Sequence, residues 1–245
     1  MRFSLLLILF CTLTTSALSW DAPKNPAAKQ SLKVAEQYMD DGVFHYAVDE
    51  LNKAISKERH PDIYVLLGRC YRSLEKRKLA YFAYKNALSL ENDNNEALVS
   101  LGDLALEFGT IKELKELLPA LQSLDKSLAA LVQHGLYCRQ GNEALKKLRF
   151  RTAYRFFDKA LQVNGESVEA EAGAISALSG LAKVYRQTKK YSKELKVLIR
   201  LYHMVPTKQL GQRIHNVFKI AGANATSRQS EVKSIVEHAQ TLPDK

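Results

Sequence analysis

Small and aromatic residues recur along this chain at intervals of 33 to 34 residues. The clearest set comprises Tyr64, Leu67, Gly68, Tyr71, Ala80, Tyr84 and Ala87. Counterparts stand one interval earlier at Ala47, Leu51 and Ala54, and one interval later at Leu98, Leu101 and Gly102. When a helical hairpin stacks on copies of itself, its contact residues occupy fixed positions of each unit. The regular recurrence of these residues therefore predicts a stack of helical hairpins.

The small residues fall where two helices must approach each other closely. Gly68 lies on the first helix of its unit, helix A, and Ala80 and Ala87 lie on the second, helix B. A larger side chain at any of these positions would force the helices apart. Tyr71 and Tyr84 then fill the gaps between successive hairpins. An all-α fold follows from this arrangement.

This pattern resembles the tetratricopeptide repeat, which places a large residue, Leu, Gly and Tyr on helix A and Ala, an aromatic residue and Ala on helix B. The resemblance implies a right-handed superhelical solenoid of about five hairpins that holds other proteins. It is strong in the first two units, and clear again in the fourth. The fourth unit contains Gly141, Ala153, Phe157 and Ala160.

Two units depart from the pattern. The third, from about 95 to 127, has Leu114 and Leu118 in place of the usual alanine and aromatic residue. Before the fifth unit, residues 166–177 add about seven residues, which predicts a lengthened helix A with Glu169 and Glu171 exposed. Beyond Pro206, helices over 209–221 and 230–241 are predicted to cover the apolar end of the stack.

The first residues predict export. An apolar run over 5–10 follows Arg2, is too short to span a bilayer and ends in small residues, as in a secretory signal peptide. Cys11 leaves a lipoprotein alternative, which the bulky Phe10 disfavours. The predicted organisation is a signal peptide over 1–19, a flexible leader over 20–30, a repeat solenoid over 31–206 and C-terminal capping helices over 207–245.

The predicted compartment is outside the cytosol, with the bacterial periplasm preferred and the secretory lumen or the extracellular space as alternatives. Asn224 begins a sequon that would be glycosylated only in a eukaryotic secretory host. Cytosolic relatives grip acidic chaperone tails with Lys and Asn where this chain has Leu32 and Glu36. Lumenal co-chaperones of similar build carry a J domain, whose His-Pro-Asp signature is missing here, although a co-chaperone-like protein of the endoplasmic reticulum stays an alternative.

The resemblance also implies a binding site, because fixed positions of helix A line a concave groove that takes up extended peptides or a partner helix. These positions hold Lys29, Glu36, Asp40, Arg69, Arg72, Asp103, Glu107, Asn142, Lys146, Lys183 and Arg186. The signs are mixed, acidic early and basic late, which suits a protein or peptide of opposite polarity. Cys138 falls at a groove position as well, which leaves a redox or crosslinking role open.

Charge is distributed unevenly, with a net charge of −2 over residues 20–145 and +11 over residues 146–245. On a helix the basic residues of the fifth unit should form one stripe, because residues three and four apart share a face. This predicted stripe comprises Lys189, Lys190, Lys193, Lys196 and Arg200. It is either a solvated face or a contact for an anionic membrane or an acidic glycan. Nucleic acid is not an expected partner, because an exported protein rarely meets it.

No pattern in the sequence indicates catalysis. The six histidines have no metal-ligand spacing, and no phosphate loop or nucleophile elbow is present. Cys70 and Cys138, which lie two units apart, are expected to be too distant for a disulfide. We therefore expect a non-catalytic interaction scaffold with no catalytic residue, cofactor or metal. The oligomeric state stays open.

Overall fold

The structure, a computed structural model, describes residues 22–243. Over that range the chain forms twelve α-helices and one 3₁₀ segment, with no strand. The helices are α1 (Pro26–Asp40), α2 (Phe44–Lys57), α3 (Pro61–Ser73), α4 (Arg77–Leu90), α5 (Asn95–Phe108), α6 (Ile111–Leu124), α7 (Lys126–Lys146), α8 (Phe150–Val163), α9 (Val168–Gln187), α10 (Tyr191–Met204), α11 (Lys208–Ala221) and α12 (Gln229–Thr241). The predicted signal peptide lies outside the described residues.

The helices pack consecutively as six hairpins, in which odd-numbered helices are helix A and even-numbered helices are helix B. The predicted all-α solenoid is thereby confirmed. No helix within residues 22–243 is long and apolar enough to cross a membrane.

Four turns from helix A to helix B share one backbone geometry. Each contains one residue in the left-handed conformation: Gly42 (φ 74°), Glu75 (φ 57°), Leu148 (φ 54°) and Lys189 (φ 53°). In each turn the next N–H bonds to the carbonyl five residues earlier, as from Lys190 to Tyr185 at 2.8 Å. This hydrogen bond satisfies a carbonyl at the end of helix A and reverses the chain. Helix B can therefore begin after a very short connection.

Glycines on helix A make room for rings on helix B. A Cβ atom on Gly68 would lie 2.7 Å from the ring of Tyr84, and one on Gly141 would lie 2.7 Å from the ring of Phe157. Both rings are buried. Phe157 also packs against Gly173 of α9, so the same ring joins the fourth hairpin to the fifth.

The third hairpin packs differently from the sequence prediction. A Cβ atom on Gly102 would lie 2.8 Å from Leu121, which is fully buried, whereas Leu118 is only partly buried. The side chain that fills the space beside the glycine is therefore one helical turn later than predicted. The side chain of Leu121 is longer than that of an alanine, so it reaches the space beside Gly102.

Both later A helices are long. α9 has 20 residues, in line with the predicted lengthening, but α7 has 21 residues and its extension was not predicted. The first turns of α7 bury Ala129 and Val132. This extension packs beside α5, where Gly135 lies against the side chain of Leu106.

Residues 22–30 do not form a flexible leader, which corrects the sequence prediction for the described part of that segment. α1 begins at Pro26, and the Asn25 side chain caps it by accepting the N–H of Ala27 at 2.9 Å. The Glu58 carboxylate accepts the backbone N–H groups of Asn25 at 2.6 Å and Lys24 at 3.0 Å. These two bonds, that from Asn25 first, lower the pKa of Glu58. The chain is thus fastened to the end of α2.

The last two helices close the C-terminal end of the stack. Gly211 of α11 lies against Ala239 of α12, so this hairpin also closes through small residues. Ile214 and Ile235 are buried in one core with α9 and α10, whereas Ile220 is exposed. The two helices are joined by the 3₁₀ segment Gly222–Arg228. The side chain of Asn224, within that segment, lies outside the described part of the structure.

The glycine contact makes a testable prediction for stability. Gly68→Ala should destabilise the fold by about 1–3 kcal/mol, because its methyl group would overlap the buried ring of Tyr84. Gly165→Ala is the matched control, since its nearest neighbouring atom is 3.8 Å away, and it should stay within about 0.5 kcal/mol of the parent. Urea denaturation measures both values. Equal stability of the two variants would contradict this packing.

Candidate functional site

Polar contacts join neighbouring A helices along one face of the molecule, the A-helix surface formed by α1, α3, α5, α7 and α9. Arg69 on α3 donates two hydrogen bonds to Glu96 on α5. Asn142 on α7 donates to Glu169 on α9 at 3.2 Å. Arg69 and Asn142 were both assigned to the groove, and both also fix the spacing of the helices that form it.

Arg139 makes a third link between A helices, which the sequence analysis did not find. Its guanidinium donates to the carbonyls of Leu106 and Gly109, at the C-terminal end of α5. Those carbonyls have no partner within their own helix, and the end of a helix carries partial negative charge. Arg139 therefore caps α5 from α7. Its position in the chain gave no signal, because its two partners lie 30 and 33 residues earlier.

Two predicted groove carboxylates are held by one arginine. Arg77, the first residue of α4, donates to Glu107 at 2.8 Å, and its guanidinium lies 4.0 Å from the carboxylate of Asp103. All three side chains are substantially exposed, so the cluster is hydrated and contributes modestly to stability. Its main consequence is that these two acidic groups are already partly neutralised.

The remaining predicted groove positions are exposed and have no ion-pair partner among the described residues. They are Lys29, Glu36 and Asp40 on α1, Arg72 on α3, Lys146 on α7 and Lys183 on α9. On α3, α7 and α9 every one of these unpaired groups is a cation. The unpaired groups of the A-helix surface are therefore of both signs on α1 and positive on α3, α7 and α9.

Arg186, the last predicted groove residue, binds a buried carboxylate. Glu194 on α10 is 0% exposed, and the Nε atom of Arg186 donates to both of its oxygens at 3.0 Å. Arg213 on α11 donates to the same carboxylate at 2.9 Å. Glu194 stands five residues after the left-handed turn residue Lys189. The equivalent position in three other hairpins holds alanine: Ala47, Ala80 and Ala153.

The predicted basic stripe is divided between a turn and a helix. Lys189 and Lys190 lie in the turn before α10, so they do not continue its face, which corrects the sequence prediction. Lys193, Lys196 and Arg200 are exposed on one side of α10. Helical spacing placed all of these residues on one face, but the chain reverses at Lys189.

An apolar recess of about 300 Å³ lies between α4, α5 and α6. Its apolar lining comprises Tyr81, Leu88, Leu98, Leu101, Ala105 and Leu117. An ion pair between Lys85 and Glu113 spans α4 and α6 beside it. Burial raises the pKa of Glu113, but hydrogen bonds from Lys85, Thr110 and Tyr81 outweigh it and lower the pKa to about 2. The groove positions implied by the repeat lie on helix A, so they do not include this recess, which α4 and α6 line together with α5.

Cys138 does not face the groove, in contrast to the prediction. Cys138 and Cys70 are both buried free thiols, and burial raises the pKa of each to about 11. The Sγ atom of Cys138 lies 3.6 Å from Nε2 of His134. Because the thiolate is the reactive form, neither side chain is placed for redox chemistry. Within residues 22–243, no group of three or more His, Cys, Asp or Glu residues could hold a metal ion.

The buried thiols predict a pH dependence. An unfolded cysteine ionises near pH 8.5, whereas these two ionise near pH 11, so stability should fall as pH rises from about 9 to 11. At pH 8 a thiolate-selective reagent should react slowly with the folded chain and rapidly in urea. Immediate labelling of a native thiol at Cys70 or Cys138 would contradict their burial.

The charges around Glu194 predict an asymmetry between variants. Replacing both Arg186 and Arg213 by Met should cost about 3–5 kcal/mol, because it leaves a buried carboxylate without a partner. Glu194→Ala should cost less, because the side chains of Arg186 and Arg213 are 44% and 43% exposed and can be hydrated. Arg155→Met, on the exposed face of α8, is the control. Urea denaturation measures the free energy of unfolding of each variant. A larger loss of that free energy for Glu194→Ala than for the double variant would contradict the prediction.

Comparisons with known proteins agree with this geometry. Residues 61–94, which include α3 and α4, match the family model described as tetratricopeptide repeat. No curated protein matches the chain.

Three solved structures are similar at low identity. A tetratricopeptide repeat protein from Parabacteroides merdae is 22% identical, with 90% of this chain and 82% of that chain covered and a TM-score of 0.36. PilF of Pseudomonas aeruginosa is 18% identical, with 87% of this chain and 96% of that chain covered and a TM-score of 0.33. The TPR2AB domain of yeast Sti1 is 13% identical, with 87% of this chain and 98% of that chain covered and a TM-score of 0.33. None of these likenesses assigns a function to the chain.

The matched segment contains the close contact of Gly68 with Tyr84, and the fourth hairpin repeats it with Gly141 and Phe157. The same left-handed turn, followed five residues later by a buried helix B position, recurs in the first, second, fourth and fifth hairpins. These are the repeat's defining contacts, found in the matched unit and again outside it. Residues 61–94 therefore form a tetratricopeptide repeat, and its close glycine–ring contact and left-handed turn recur in neighbouring hairpins.

Proposed function

We propose that this protein is a non-catalytic interaction scaffold that is exported from the cytosol and binds a protein or peptide along its A-helix surface. Members of the family are generally scaffolds of this kind. The support for export is the composition of residues 1–19, whose apolar run and small C-terminal residues suit a signal peptide. The bacterial periplasm is the preferred compartment.

One observation carries the choice of surface. Arg72, Lys146 and Lys183 are exposed and have no ion-pair partner among the described residues, while other groups on the same helices are engaged between repeats. The contact of Arg69 with Glu96 holds α3 beside α5, and that of Asn142 with Glu169 holds α7 beside α9. Cations on a preformed surface bind carboxylates without first paying the cost of ordering the helices.

The charges define the partner's chemistry. A segment that spans the A helices would place acidic side chains against Arg72, Lys146 and Lys183. Near α1 it would meet Glu36 and Asp40, where a basic residue fits better. The proposed partner is therefore an acidic segment with a basic group at the end that reaches α1.

A pull-down tests the proposal. The tagged chain is mixed with an extract of its own envelope or secretory compartment, and captured proteins are identified after washes at about 0.1 M and about 1 M salt. Arg72→Glu combined with Lys183→Glu should weaken capture of the partner by roughly tenfold, because both cations become repulsive.

The control reverses two charges elsewhere. Lys112 and Lys115 are exposed on α6, so changing both to Glu alters net charge equally but leaves the A-helix surface intact. This variant should capture the partner as the parent does. Equal capture by the Arg72→Glu, Lys183→Glu variant would exclude the A-helix surface as the binding site.

A further inference from the structure

Two neighbouring turns form a basic edge on the solenoid. The edge comprises Lys146, Lys147, Arg149, Arg151, Lys189 and Lys190, all of them exposed. Glu143 pairs with Lys147, and Glu194 is buried beneath Arg186 and Arg213. The edge therefore keeps a strong positive charge at its surface.

The two turns lie side by side. Arg151, in the first turn of α8, donates to the hydroxyl of Tyr185 in the last turn of α9 at 2.8 Å. The ring of Phe150 packs against Gly180 of α9, where no side chain separates the two helices. The cations of the α7–α8 turn and of the α9–α10 turn thus form one continuous strip.

An apolar side chain projects from the centre of this strip. Leu148 is 72% exposed and lies between Lys147 and Arg149. The turn requires a left-handed residue at this position, which glycine adopts without strain. Gly42 occupies the equivalent place in the first hairpin, and Glu75 and Lys189 do so in the second and fifth. The turn geometry alone does not require a leucine.

Two acidic residues of α9 lie far from the edge. Glu169 and Glu171 are in the first turn of α9, and Lys189 follows its last turn. A helix of 20 residues is about 30 Å long, which is several Debye lengths at physiological salt. Apart from the pair of Glu143 with Lys147, the cations of the basic edge have no ion-pair partner among the described residues.

We infer that the basic edge docks on an anionic phospholipid surface, with Leu148 inserted among the headgroups. Lysine and arginine near such a surface gain electrostatic attraction, and an apolar side chain among them gains from burial in the interface. An acidic glycan would account for the cations but would offer no apolar contact to the exposed leucine. The inference goes beyond the proposed scaffold, because it adds a membrane contact that leaves Arg72 and Lys183 accessible.

Vesicle sedimentation with the purified chain tests the inference. We expect binding to phosphatidylcholine vesicles with about 30% phosphatidylserine, and little binding to phosphatidylcholine alone, at about 0.1 M salt. Changing Lys189 and Lys190 to Glu should weaken binding at least about tenfold, since each cation contributes about fivefold. Changing Lys112 and Lys115 to Glu, the matched control on α6, should have no such effect.

Leu148→Gly separates membrane insertion from folding. Glycine suits the left-handed turn, so the melting temperature should stay the same or rise, while vesicle binding should fall about tenfold. Binding of this variant at the parent's level would overturn the inference. So would a failure of the parent to bind anionic vesicles, or binding to heparin that is as tight as binding to vesicles and insensitive to Leu148→Gly, which would point to a glycan.

The test is independent of the scaffold proposal. Arg72→Glu combined with Lys183→Glu should bind vesicles as the parent does, because neither residue belongs to the edge. The Lys189→Glu, Lys190→Glu variant should still capture a protein partner. Each pair of substitutions should therefore lose binding in one assay only, and the proposal whose pair loses nothing in its own assay fails.

Discussion

The close approach of helix A and helix B at Gly68 and Gly141 determines where the other elements lie. Because the ring of Tyr84 or Phe157 occupies the space that a Cβ atom would need, the two helices of a hairpin pack with little between them. Phe157 also contacts Gly173, so the ring that packs between the helices of the fourth hairpin also packs against the first helix of the fifth. Successive A helices then lie beside one another, near enough for side chains to bridge them. The A-helix surface is thus a consequence of packing in the core.

The fifth hairpin follows the same geometry with different chemistry. Where other hairpins have a buried alanine, Glu194 brings a carboxylate into the interior, and Arg186 and Arg213 enter from two neighbouring helices to bind it. This arrangement joins α11 to the fifth hairpin through charge as well as apolar contact. It also occupies two arginines in a basic part of the chain. The net charge counted from the sequence is therefore larger than the positive charge available at the surface there. The cations of the turns supply a larger share of that surface charge.

The fold could be predicted from the sequence because the residues that define a hairpin are close together in the chain and recur at a fixed interval. Gly141 and Phe157 are an example. Contacts between distant segments left no such signal. The start of α1 is an example: Pro26 suits the first position of a helix, and the Glu58 carboxylate that fastens the preceding chain is more than thirty residues away. The bond from Arg139 to the end of α5 could not be inferred either, since its partners lie 30 and 33 residues away in the chain.

The two proposed surfaces meet at Lys146. This residue ends α7, so it belongs to the A-helix surface and also to the basic edge. A cation that is paired with a partner's carboxylate attracts an anionic surface less strongly, and the converse holds for one that is bound to a headgroup. Coupling between two binding events is reciprocal, so an acidic segment at Lys146 and a lipid surface at the edge would each weaken the other. The effect is limited to one cation of several, about fivefold, which leaves room for both contacts on a single chain.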